Sequence, residues 1–109
     1  MNWTWTDEGT FTTTRDDGAT LTARVVTDED PDLSWMDEGE DPSDYYVNGL
    51  VLSASLPDGR PYGSTSLWGI TTHQSDSLRT VRRYFENVAD DIAPDLERLE
   101  RLAILLLGR

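Results

Sequence analysis

The chain has 109 residues, a formal net charge of -12 from 21 acids against nine arginines, no lysine and no cysteine. This length is enough to bury a core without metal or disulfide support. The absent cysteine excludes disulfides, thiolate metal sites and cysteine nucleophiles, and the charge argues against direct binding of nucleic acid or anionic lipid.

Trp3-Thr4-Trp5-Thr6 alternates aromatic with polar and places both indoles on one face of a strand. Asp7-Glu8-Gly9 reads as a turn. Thr10 to Thr14 surrounds Phe11 with β-favouring threonine, Asp16-Asp17-Gly18 gives an Asp-Gly turn signal, and a strand returns over 19–27 with Ala19, Leu21, Ala23 and Val25 on one face. Residues 1–27 are therefore expected to form an antiparallel meander.

An acidic loop follows over 28–44. Asp28, Glu29, Asp30, Asp32, Asp37, Glu38, Glu40, Asp41 and Asp44 put nine carboxylates into seventeen positions without one basic residue. Pro31, Gly39 and Pro42 exclude an uninterrupted helix or strand. Leu33, Trp35 and Met36 would be wasted in a solvated tail, which predicts a short turn or helix docked onto the domain. Trp35, an aromatic group ringed by charge, reads equally as the hot spot of a protein-binding surface and as the pin that holds the loop down.

Tyr45 to Leu56 is the longest strand candidate, with Leu50, Leu52, Ala54 and Leu56 on one face. Pro57-Asp58-Gly59-Arg60 turns the chain, and a partner strand returns over 62–70, where Ser64, Ser66, Trp68 and Ile70 share a face. From Ser75 the period changes. Ser75 or Ser77 caps a helix whose stripe is Leu78, Val81, Phe85, Val88 and Ile92, continuing as Leu96, Leu99, Ala103 and Leu106. Pro94 removes a backbone donor at a cost of about 3 kcal/mol, so two helices or one kinked helix are expected over 75–109. Leu102 to Leu107 is apolar all round, which leaves homodimerisation through the C-terminal helix open. That run is too short to span a bilayer and the N-terminus lacks a signal-peptide pattern, so the expectation is a cytoplasmic protein. The whole is expected to be one α+β domain: an antiparallel sheet of four or five strands with one or two helices on one face.

The carboxylates do not spell out a metal site. If Asp28 opened a calcium loop, the required glycine would be Leu33 and the closing glutamate Gly39, with Pro31 badly placed. His73, the single histidine, has Ser75 and Asp76 beside it, but catalytic triads draw on separate parts of a fold, and no nucleophile elbow, phosphate loop or dinucleotide fingerprint is present. Neither a catalytic residue nor a cofactor is expected. Trp3, Trp5 and Trp68 read as core packing, since base stacking needs a basic groove. Arg79, Arg82 and Arg83 form the one compact basic cluster and read as a solvated helix face.

The charge is concentrated. Residues 1–74 hold 14 acids and three arginines (-11), and residues 75–109 hold seven acids and six arginines (-1). Such a field attracts a basic protein over a Debye length of about 8 Å. Stretched out, seventeen residues reach roughly 56–61 Å, so nine carboxylates stand roughly 6–7 Å apart, sparser than the 3.4 Å charge spacing of a DNA strand. Phosphate mimicry therefore requires a folded surface, compacted around Trp35 or extended by Asp7, Glu8, Asp16, Asp17 and Asp58 from the turns.

In its small size and acidity the chain resembles the anti-CRISPR and anti-restriction inhibitors of phages and mobile elements, many of which mimic nucleic acid. The segments Glu29-Asp30-Pro31-Asp32-Leu33-Ser34-Trp35 and Ser66-Leu67-Trp68-Gly69-Ile70, followed by an amphipathic helix, are also similar to phage and plasmid proteins. The resemblance implies a non-catalytic inhibitor whose acidic loop and Trp35 occupy a basic nucleic-acid-binding surface. An immunity protein neutralising a basic toxin, or a general acidic interaction module, is the alternative.

Overall fold

Alternation of apolar residues with threonine and serine produces five strands, β1 (Thr4–Trp5), β2 (Thr10–Thr14), β3 (Thr20–Thr27), β4 (Tyr45–Ser55) and β5 (Pro61–His73), followed by one helix, α1 (Leu78–Leu107). The computed structural model describes residues 2–107, and their side chains apart from those of Tyr62, Glu97 and 99–107. All five strands pair antiparallel in sequential order, so the architecture is the expected α+β arrangement, with five strands and one helix.

One face of the sheet is apolar and lies under the helix. Phe11, Leu21, Ala23, Leu50, Leu52, Ala54 and Ile70 are buried there against Phe85, Val88, Ala89, Ala93 and Leu96 of α1. The opposite face is polar. Register aligns Thr4, Thr12, Thr22, Ser53 and Ser64 in one row of hydroxyls across all five strands. An antiparallel sheet tolerates this because only one of its faces needs cover.

Ser77 is the cap: its hydroxyl accepts the Thr80 N–H at 3.2 Å and its carbonyl accepts the Val81 N–H at 3.0 Å. Leu78, expected at the head of the apolar stripe, is instead 62% exposed at the rim of a cleft. The helix is not divided at Pro94. Pro94 is exposed, so the missing donor falls on the solvent side, while Ala93 and Leu96 beside it stay buried. Packing of that stripe outweighs the proline penalty. The expected dimer contact at Leu102 to Leu107, and the stripe positions Leu99, Ala103 and Leu106, lie outside the described side chains.

A bulge in β5 changes the expected faces. Asn48 pairs with Ile70 and Leu50 with Leu67, leaving Gly49 opposite two residues, Trp68 and Gly69, the latter at φ 75°. The extra residue turns Ile70 into the core, while Trp68 stays with Ser64 and Ser66 on the open face, 52% exposed. Trp68 is therefore not a core residue. Its ring lies over Gly49, where a Cβ would come within 2.3 Å of Cε3.

Two substitutions test this packing. Pro94→Ala should raise the unfolding free energy by about 1–3 kcal/mol in urea denaturation, because it restores a helix donor on an exposed face. Gly49→Ala should lower it by about 1–2 kcal/mol, and adding Trp68→Ala should recover most of that loss.

Candidate protein-binding surface

The acidic loop is closed, not stretched. Thr27 and Asn48 are paired across β3 and β4, and just beyond them the Asp28 N–H donates to the Val47 carbonyl at 3.0 Å. At the other root the Gln74 N–H donates to the Asp44 carbonyl at 2.8 Å, and Gln74 Nε2 donates to the Asp44 carboxylate at 3.0 Å. Seventeen residues thus leave and return at neighbouring strands.

Within the loop the aspartates shape the backbone. Asp28, Asp32 and Asp41 each accept the N–H two residues ahead, from Asp30, Ser34 and Ser43, at 3.0–3.1 Å. Such side-chain turns explain why aspartate and serine can fold a segment that Pro31 and Pro42 keep from regular structure. Gly39 completes another turn at φ 94°, and Asp41 caps a single 3-10 turn over Pro42–Asp44. The Ser34 N–H, then its hydroxyl, holds the Asp32 carboxyl below the ordinary 3.8, and the Ser43 N–H and hydroxyl do the same for Asp41. Both turns are thus fully stabilised above the ordinary carboxylate value and lose that support as pH falls through the lowered one.

Trp35 meets Tyr45 edge-to-face at 5.6 Å, and Tyr45 meets His73 in the same way at 5.1 Å. This stack pins the loop to the starts of β4 and the helix connection. Leu33, with Pro31, Pro42 and Val47, lines a small cavity of about 270 Å³ beneath it. Trp35 nonetheless keeps 49% of its surface exposed. Pin and exposed apolar group are the same side chain. Burial, then the charges of Glu40 and Asp44 and a hydrogen bond to Glu40, hold the Tyr45 phenol above the ordinary 10.0.

The nine carboxylates do come together at one end of the sheet. Glu29, Asp30, Asp32, Asp37, Glu38, Glu40 and Asp41 are exposed, while Asp28 and Asp44 are half-buried at the roots. Among the described residues, the ion pairs are Arg15–Asp17, Arg60–Asp58 and Arg98–Asp95, none of them in the loop. The turn acids, however, divide. Strand order puts Asp7 and Glu8 at the loop's end of the sheet, since the Val25 N–H donates to the Gly9 carbonyl, and it puts Asp16, Asp17 and Asp58 at the other end. Eight residues of β3 separate the two ends by about 27 Å, well beyond a Debye length. Asp16, Asp17 and Asp58 therefore do not extend the surface, and Asp17 and Asp58 are further engaged by their neighbouring arginines. Asp76, read in the sequence only as a neighbour of His73, lies at the loop's end: its carboxylate accepts the His73 N–H at 2.9 Å.

His73 and Ser75 form a local turn. The ring Nδ1 accepts the Ser75 N–H at 3.1 Å and lies 2.7 Å from its hydroxyl. Among the described residues no group of three or more acidic or histidine side chains is arranged to hold a metal ion. No protein family, curated protein or solved structure matches the chain.

Tyrosine absorbance at high pH reports the loop's field directly. The Tyr45 signal, identified by its loss in Tyr45→Phe, should titrate above 10.0, and Glu40→Gln with Asp44→Asn should lower its midpoint only in part, because burial is the larger cause.

Proposed function

We propose that the chain is a non-catalytic inhibitor of a nucleic-acid-binding protein or complex, of the anti-CRISPR or anti-restriction kind, acting in the cytoplasm of a host cell. The observation that carries this reading is the folded acidic end itself. Nine loop carboxylates, with Asp7, Glu8 and Asp76 added by strand order, converge without an ion pair among the described residues. This reading requires the loop to be folded, since stretched out its charges would be too sparse to imitate a phosphate strand. Arginines and lysines of a basic groove would meet these carboxylates, which steer encounter and fix register, and the exposed half of Trp35 supplies the apolar anchor that charge alone lacks.

Reversing Asp37, Glu38, Glu40 and Asp41 to lysine should weaken binding to the partner captured from host lysate by on the order of 100-fold. Unchanged binding with an intact circular dichroism spectrum would remove the loop from the mechanism. Excess DNA or RNA should displace the chain from its partner; a complex indifferent to nucleic acid belongs instead to an immunity protein bound to a basic toxin.

A further inference from the structure

A cleft runs between the N-terminal half of α1 and the strands that the helix leaves uncovered. Two adjoining cavities open along it. One, of about 520 Å³, lies between Trp3 and Trp5 of the sheet and Arg79, Arg83 and Asn87 of the helix. The other, of about 700 Å³, has Val25, Val81 and Phe85 with Asn48 and Thr72 in its lining. Trp5, Leu78 and Arg82 line both. These volumes lie in the range of small-molecule sites, and the linings mix aromatic and aliphatic side chains with charged and polar ones.

Arg82 stands at the junction. Its guanidinium lies 5.1 Å from the Trp5 ring centroid, within cation–π range, yet its Nε is buried without a hydrogen-bond partner. Arg79 and Arg83 flank it, and none of the three joins an ion pair among the described residues. Arg79 also sits in the first helical turn, where the backbone dipole disfavours a cation. Glu86 and Asp90 face the first cavity, but each accepts an indole N–H, from Trp5 at 3.5 Å and from Trp3 at 2.9 Å. Glu8, Tyr46, His73 and Asp76 are the remaining titratable groups at the second cavity. A cleft lined by three arginines that join no ion pair among the described residues, one of them over an aromatic wall, matches an anion attached to a flat or apolar body.

We propose that this cleft binds a small organic anion, a carboxylate or phosphate on an aromatic or apolar body. Arg82 takes the anionic group with Arg79 and Arg83 beside it, and the body lies against Trp5 over Val81 and Phe85. Guanidinium suits both head groups, since its planar donors match carboxylate and phosphate alike. No residue of the loop over 28–44 lines the cleft, although Glu8 and Asp76 of the acidic end border its second cavity, and the proposal does not depend on how the loop is used.

Phenylacetate and phenyl phosphate carry the two head groups on one ring, and benzyl alcohol is the neutral control. Titrated into the full chain and followed by nitrogen–proton correlation spectra, at least one anion should bind saturably and shift the indole N–H signals of Trp3 and Trp5, leaving those of Trp35 and Trp68 in place. Benzyl alcohol should bind about tenfold more weakly or worse, a difference of about 1.4 kcal/mol. The tighter anion assigns the head group. Arg82→Gln should abolish the preference for the anion, and Arg24→Gln, on the open face, should leave it intact. If Arg82→Gln does not fold, the double variant Arg79→Gln with Arg83→Gln should weaken anion binding severalfold. The proposal is overturned if neither anion binds better than benzyl alcohol, if the shifts fall on Trp35 or Trp68, or if the folded arginine variants bind as the parent does.

Discussion

One helix has to cover the apolar face of five strands, and the remainder of the structure follows from that mismatch. Outer strands of such a sheet stand about 19 Å apart, whereas a helix with its side chains is about 10–12 Å across. The helix lies against β4 and β5, so β1 to β3 need another cover. Trp3 and Trp5 provide it. Both rings pack on Phe11, at 5.1 and 4.3 Å between centroids, and both indole N–H groups reach carboxylates of α1. Phe11 is thereby fully buried although it lies only one strand from the edge. A two-residue edge strand is held in place by these side chains more than by its ladder.

Filling the gap with two indoles leaves a cleft beside them. A second helix would have closed it. Instead, Arg82 stands over Trp5, and Arg79 and Arg83 line the groove beside it together with Glu86 and Asp90. The acids gather at the sheet's end for a different reason: antiparallel order returns every second connection to the same end, and the loop between β3 and β4 shares that end with the turn between β1 and β2. The two surfaces meet, since Glu8 and Asp76 of the acidic end also line the cleft's second cavity.

Much of this was legible in residue spacing. Period-two alternation marked Leu21, Ala23, Leu50, Leu52 and Ala54 as one buried face, and the spacing of Phe85, Val88, Ile92 and Leu96 marked the helical stripe. Spacing failed at Trp68, because one inserted residue at Gly49 shifts the alternation and nothing in the local pattern announces it. At Pro94 the sequence left two helices or one open, and tertiary packing on the far side of the helix decided for one. In the acidic loop the docking of Trp35 was readable, whereas the turns that Asp28, Asp32 and Asp41 form with the N–H two residues ahead came only with the structure. The partition of the turn acids was readable only once strand order was known.

Composition and periodicity by themselves determined an α+β chain with a one-sided sheet, an amphipathic C-terminal helix and a dense acidic loop, since these depend on neighbours close in sequence. Tertiary structure alone decided that Trp3 and Trp5 bridge to Asp90 and Glu86, that Asp7, Glu8 and Asp76 join the loop while Asp16, Asp17 and Asp58 do not, and that Arg82 lies over Trp5. The tryptophan and arginine contacts span residues remote along the chain and are set by how one helix is seated on a sheet too wide for it, and the partition of the acids is set by antiparallel strand order.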